Sequence, residues 1–217
     1  LRCLTAFLER KDEPMNWMNV GMVAAAYFIG AIPFGYLIAK TKGVDIRQVG
    51  SGNIGATNVE RVLGKAAGKI TLLCDGLKGL LPVLLARAVT QDGRWLAAVA
   101  LATIIGHNWL IYLQFKGGKG VTTTYGSFLG LAWLPAAQTI LIWVAVKKMT
   151  KTASIAALTS SACAPLFVIG FFNQPSRFQT GASALVFALI TAVLIYLRHV
   201  PNIQRLLANE EMPSKKA

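Results

Sequence analysis

Long apolar stretches separated by short polar ones run along nearly the whole chain. Crossing about 30 Å of hydrocarbon at about 1.5 Å per residue takes a helix of about 20 residues. Five stretches qualify: residues 20–39, 66–89, 95–115, 153–172 and 181–197. A sixth apolar region, 121–149, is interrupted at Pro135, and its pattern alone permits one kinked crossing or two short ones. The chain has no internal repeat and no low-complexity tract. It therefore reads as a single all-α integral membrane domain over residues 19–211, with a six-residue tail, 212–217. Residues 1–18 lack the features of a signal peptide. They begin at Leu1, with Met15 just ahead of the first apolar run, and read as an upstream extension or an alternative start.

Charge decides the number of crossings. Lys116 and Lys119 precede the interrupted region, and Lys147, Lys148 and Lys151 follow it. Positive charge collects on the cytoplasmic side of a membrane protein, so both flanks are expected there. An even number of crossings must join them, and residues 121–133 and 135–146 are then a hairpin of short helices. The first of these reaches only about 20 Å and needs shelter from its neighbours or a thinned bilayer. The expected topology is about seven crossings in the plasma (inner) membrane, with the N-terminus outside and the C-terminus inside.

Composition narrows the class. Apolar residues make up 54% and charged residues 14%, against about 45–50% and about 25% in an ordinary soluble domain. That excludes a water-soluble globular enzyme and a disordered chain. The net charge of +13 points in a polytopic chain to cytoplasmic loops and anionic ligands or membrane lipids, not to nucleic acid. Cys3, Cys74 and Cys163 are scattered and suggest neither a disulfide framework nor a metal site.

Three polar segments fall on the expected cytoplasmic side. The first, VGSGNIGATNVER, carries Ser51, Gly52, Asn53, Thr57, Asn58 and Arg61. Its glycines let backbone approach a ligand closely, and consecutive amides can form an anion nest. Thr57 and Arg61, four apart, share a face of any helix that starts there. The second is FKGGKGVTTT, in which Lys116 and Lys119 flank Gly117 and Gly118 just before an expected helix start. Free amides, helix dipole and ammonium groups would converge there on an anion. The spacing is not that of a nucleotide-binding P-loop. The third holds His199, Asn202 and Arg205 at successive i, i+3 positions, with Pro201 between them as a potential break. Inside an apolar run stand Asp75 and Lys78, one turn apart, and His107 lies about two turns before the second segment. An ionised pair at membrane depth is functional or is glue between helices, and both readings stand. Tyr112 and Gln204 stand five residues beyond the two histidines, so no His-x4-Asp dyad exists. A serine or cysteine triad and a metal-ligand cluster are equally missing from the pattern.

With SGNIGATNVER, HNWLIYLQFKGGKGVTT and RHVPNIQRLL in order, the chain resembles the bacterial acyl-phosphate:glycerol-3-phosphate acyltransferase family over roughly residues 30–211. The resemblance implies a seven-helix membrane enzyme of phospholipid synthesis. Such an enzyme moves an acyl group from long-chain acyl phosphate to the sn-1 hydroxyl of glycerol-3-phosphate, without a cofactor. By resemblance, Ser51, Gly52, Asn53, Thr57, Asn58, Arg61, Lys116, Gly117, Gly118, Lys119, His199, Asn202 and Arg205 bind the phosphates. His199, Asn202 and Ser51 are the catalytic candidates, and Asp75, Lys78 and His107 support the site. Either His199 or a substrate phosphate oxygen takes the proton. The enzyme that makes acyl phosphate is a candidate partner. The rival from another class is a phosphate or organophosphate transporter, which also needs basic ligands near helix ends. Such transporters carry inverted repeats and midplane sites, and neither is visible here.

Overall fold

The computed structural model describes residues 17–171 and 181–211. Most of the expected N-terminal extension and the whole C-terminal tail lie outside the described residues, as does Phe172 at the end of one expected run. Among the described residues the structure is all helical: α1 (Trp17–Gly30), α2 (Phe34–Lys40), α3 (Ala56–Leu63), α4 (Lys65–Val89), α5 (Gly93–Asn108), a 3₁₀ turn (Ile111–Leu113), α6 (Val121–Leu131), α7 (Trp133–Thr150), α8 (Ala153–Gly170), α9 (Gly181–Arg198) and α10 (Val200–Leu207). Four segments are long and apolar enough to cross a membrane by composition: Trp17–Lys40, Gly93–Leu113, Ala153–Gly170 and Gly181–Arg198.

The apolar pattern locates the helices, and local chemistry sets their ends. Four boundaries differ from the expectation. The first run is not one helix, because Ala31–Pro33 separates α1 from α2. Proline has no N–H to continue the ladder, and the Ile32 carbonyl is taken by Lys78 Nζ at 2.7 Å. The third run stops being α-helical at Asn108; Gln114 and Phe115 adopt positive φ of 53° and 61°. The hairpin is also uneven. α6 has 11 residues and α7 has 18, so only the first is short. Pro135 lies in the first turn of α7, where its missing N–H costs nothing. Trp17 and Met18, read as extension, are helical.

The packing is that of helices in lipid. Large apolar side chains point outward along α4 (Leu73, Leu81, Leu85), α8 (Leu166, Ile169) and α9 (Val193, Leu197). The interior is rich in Ala, Ser and Thr, and the fully buried Phe128 and Phe187 meet in a tilted pair with ring centroids 5.5 Å apart. Without a hydrophobic drive between helices in lipid, small residues let backbones approach and polar side chains bind across. Gly106 of α5 sits against the Tyr27 carbonyl of α1, and Gly126 of α6 against the Gly76 carbonyl of α4. A Cβ at either glycine would collide with that backbone. Thr103 and Ser127 hydroxyls meet at 2.7 Å, tying α5 to α6. The outcome seats the short α6 against α4, α5 and α7, the shelter its length requires.

Candidate active site

One cavity of about 270 Å³ opens where the polar segments meet. Its wall includes Ser51, Asn53, Thr57, Asn58 and Arg61 from the first segment, Lys119 from the second, and Asn202 and Arg205 from the third. Asp75 and His107 also line it, and so do Gly120, Val121 and Thr122 at the start of α6. Residues separated by up to about 150 positions thus share one chamber.

The first segment is folded by Asn58. Its side chain is buried, and its amide donates to the carbonyls of Asn53 (2.9 Å), Val49 (3.0 Å) and Ile46 (3.3 Å). Its Oδ1 accepts from the Ser51 amide at 2.9 Å and from Arg61 Nη1 at 3.2 Å. Gly50 and Gly52 take φ of 62° and 69°, the left-handed region that glycine enters without cost. Asn58 therefore spends its polar groups on the loop itself. Thr57 and Arg61, on one face of α3 as expected, remain at the cavity.

The second segment corrects the expectation most. Lys116 is exposed, and Lys116, Gly117 and Gly118 are not on the cavity wall. The loop turns back over the end of α5, where the Gly118 amide donates to the His107 carbonyl at 3.1 Å. The Gly118 N–H, expected at a phosphate, is thus bonded to main chain in this structure. Arg198 holds the opposite side of the loop. Its guanidinium donates to the Gly117 carbonyl at 2.8 Å and to the Gly118 carbonyl at 2.8 and 3.0 Å. Lys119 and the N-terminus of α6 are what the loop delivers to the cavity, with Gly120 as N-cap at φ 75°.

In the third segment Pro201 does not break the geometry. It sits in the first turn of α10, after a reset of the helix at His199. Asn202 and Arg205 reach the cavity; His199 is buried behind it, and Gly52 and Lys78 also lie off the wall. His199 Nδ1 is 2.8 Å from the Ile195 carbonyl. A carbonyl only accepts, so Nδ1 carries the hydrogen and Nε2 is left as an acceptor. Burial, with the Lys119 ammonium nearby, lowers the imidazole to about 4, so the ring is neutral at pH 7.

Glu211 is the member that sequence reasoning missed. Its carboxylate accepts from Ser154 Oγ at 2.8 Å, from Arg205 Nε at 2.9 Å and from Asn202 Nδ2. Asn202 Oδ1 in turn accepts from Lys119 Nζ. Burial works to raise the Glu211 carboxyl, but the hydrogen bonds from Asn202, Ser154 and Arg205 prevail and hold it below its ordinary value. Lys119 is lowered to about 8, first by burial and further by Arg205, Arg198 and Arg61, against the pull of Glu211. Three cations from three segments therefore sense one another across the chamber. Trp143 and Lys147, 4.7 Å apart as a cation over a ring, add a wall from α7. An acidic residue four places beyond a helix carries no local signal of such a role. Arg198, at the end of α9, likewise carries no local signal that it would hold the glycine loop.

Beneath the chamber, Lys78 Nζ and Asp75 Oδ1 pair at 2.9 Å, and both side chains are almost wholly buried. His107 Nδ1 is 3.8 Å from the same oxygen. The expected one-turn pair is thus present; Lys78 ties α4 to the α1–α2 break, and His107 of α5 packs against the pair without a hydrogen bond.

The family model for glycerol-3-phosphate acyltransferase matches residues 20–209. A glycerol-3-phosphate acyltransferase of Geobacter sulfurreducens is 43% identical over 185 residues, 85% of this chain and 92% of its own length. One of Thermotoga petrophila is 44% identical over 186 residues, 85% of this chain and 91% of its own. Among solved structures, the glycerol 3-phosphate form of PlsY (YgiH), an integral membrane glycerol 3-phosphate acyltransferase, aligns with a TM-score of 0.83 at 38% identity. That alignment covers 90% of this chain and 95% of the other. The lysophosphatidic acid form of PlsY aligns with a TM-score of 0.82 at 36% identity, with the same coverage of both chains. With its apolar helices and its converging polar segments, the chain is a multi-pass integral membrane protein that belongs to the glycerol-3-phosphate acyltransferase family.

Proposed function

We propose that this protein transfers an acyl group from long-chain acyl phosphate to the sn-1 hydroxyl of glycerol-3-phosphate. The products are 1-acyl-glycerol-3-phosphate and inorganic phosphate. The carrying observation is that Arg61, Lys119 and Arg205, from three separate segments, line one chamber together with the N-terminus of α6. Such a chamber suits phosphate dianions. The relatives named for glycerol-3-phosphate acylation support the acceptor. The donor rests on chemistry: an acyl phosphate is a mixed anhydride with a good leaving group, so no covalent enzyme intermediate is needed.

In this reading Ser51, Thr57, Arg61, Lys119, Asn202 and Arg205 hold the two phosphates and bring the sn-1 oxygen onto the acyl carbonyl. The new C–O bond forms as the carbonyl C–O bond to phosphate breaks. The α6 amides and the Lys119 ammonium stabilise the developing oxyanion and the departing phosphate. The hydroxyl proton passes to a phosphate oxygen of the substrate. His199, neutral and pinned by Ile195, orients the site through Nε2 as an acceptor. The acyl chain lies along the apolar walls towards the bilayer. About seven crossings with the chamber facing the cytoplasm complete the proposal.

The test is acyl transfer by detergent-purified protein. Labelled glycerol-3-phosphate is offered with long-chain acyl phosphate, acyl-CoA or acyl carrier protein, each alone, and lipid is extracted. Lysophosphatidic acid with acyl phosphate only is the expected result. Product with acyl-CoA overturns the donor. No product with any donor, in protein shown to be folded, shifts the reading to an organophosphate transporter.

A further inference from the structure

The glycine loop before α6 rests on a side chain as well as on backbone, and its two glycines differ in what supports them. A Cβ at Gly117 would meet the His107 and Asn108 carbonyl oxygens and the Asn108 carbonyl carbon, all main-chain atoms. A Cβ at Gly118 would meet the His107 imidazole before anything else: Nε2 first, then Cδ2 and Cε1 at 3.1 Å each. The ring is enclosed by packing. It is 4% exposed, and its Nδ1, which makes no hydrogen bond among the described residues, lies 3.8 Å from Asp75 Oδ1. Asp75 is held by Lys78 at 2.9 Å, and Lys78 by the Ile32 carbonyl at 2.7 Å. From the other side Arg198 grips the carbonyls of both glycines. The loop is thus clamped between a buried imidazole and a guanidinium, and the next residue along is Lys119.

We infer that His107 is a positioning residue for substrate phosphate: its imidazole is the seat of Gly118 and sets how far Lys119 reaches into the chamber. The buried Asp75–Lys78 pair serves the same end by packing: it lies against the ring at 3.8 Å and bounds the space the ring can occupy. This role rests on the reading of the chamber as a phosphate site. It assigns the intramembrane charges a task at the membrane surface, one that burial and helix packing alone do not require. A side chain at 118 would lift the loop off the ring and draw Lys119 away from Asn202. A misplacement of that size costs about 10- to 100-fold in binding or rate. Because Lys119 meets the phosphate in ground and transition states alike, the loss falls on KM for glycerol-3-phosphate more than on kcat.

The experiment is a set of double-substitution cycles on the purified full-length protein. Two quantities are read: KM for glycerol-3-phosphate, and the rise in melting temperature produced by inorganic phosphate. Gly118→Ala is expected to raise KM about 10-fold or more and to reduce the phosphate-induced rise. In a His107→Ala background the space left by the ring accepts the new methyl group, so the further cost of Gly118→Ala drops to about threefold or less. Gly117→Ala, limited by main chain, costs the same factor with either residue at 107. His107→Gln supplies the same comparison with a flexible end that can turn aside. Equal cost of Gly118→Ala in all three backgrounds overturns the inference, as does loss of the folded state in both His107 variants. A wild-type protein whose melting temperature responds to neither inorganic phosphate nor glycerol-3-phosphate overturns the phosphate-site reading itself, and the inference with it.

Discussion

Lys119 shows how far a residue's chemistry departs from its sequence context. In the sequence it is one of two lysines around a glycine pair; in the fold it alone of the two faces the chamber. Its ammonium loses its proton near pH 8 instead of the ordinary 10.5. In the proposed reading the charged form holds phosphate, and that form is present below this value and lost above it. kcat/KM for glycerol-3-phosphate is therefore expected to fall as pH rises through about 8. Lys119→Arg, whose charge persists, should push that limb upward by a unit or more. A wild-type profile level to pH 9.5, or an identical limb in the arginine variant, would contradict the assignment. Lys116, exposed and off the wall, was indistinguishable from Lys119 by residue type. Only the turn of the loop separates them. Asn58 and His199 make the same point: their types suit ligands, and their hydrogen bonds go to the chain's own carbonyls.

At the scale of elements, hydropathy carried most of the information. The helices α4, α8 and α9 fall within a residue or two of the expected runs because transfer into hydrocarbon depends on contiguous composition. The misplaced ends lie where local backbone chemistry intervenes: at Pro33, at Gln114–Phe115, and between α6 and α7. The junction of α8 with the C-terminal helix was not readable at all, since it depends on Glu211. That carboxylate gathers Ser154 from α8 and Asn202 and Arg205 from α10. Glu211→Ala leaves those donors without a common acceptor, at about 1–3 kcal/mol. The expected result is a lower melting temperature in detergent together with a fall in kcat/KM. Glu211→Gln, which keeps an acceptor oxygen but not the charge, should lie between. Wild-type melting and turnover in the alanine variant would remove Glu211 from the site.

For the whole molecule, the proposed topology of about seven crossings makes a prediction that labelling can check. In a protein freed of its native cysteines, Gln91→Cys in the α4–α5 turn is expected to react with a membrane-impermeant thiol reagent on intact cells. Lys148→Cys at the end of α7 should react only after permeabilisation. Labelling of both positions from the same side would break the proposed crossing count. The chain's own pattern determined the all-helical membrane class, the approximate positions of its long helices, the three polar segments and the family likeness. Each of these is a property of neighbouring residues: apolar content, charge beside a span, glycine spacing. The tertiary structure alone decided which polar groups point into the chamber. The Gly118 amide is consumed by His107, the loop carbonyls by an arginine 80 positions on, and a carboxylate near the end of the chain closes the basic ring. The physical reason is that a hydrogen-bonding group serves the partner that packing brings within about 3 Å. For this site those partners come from segments that the sequence keeps far apart.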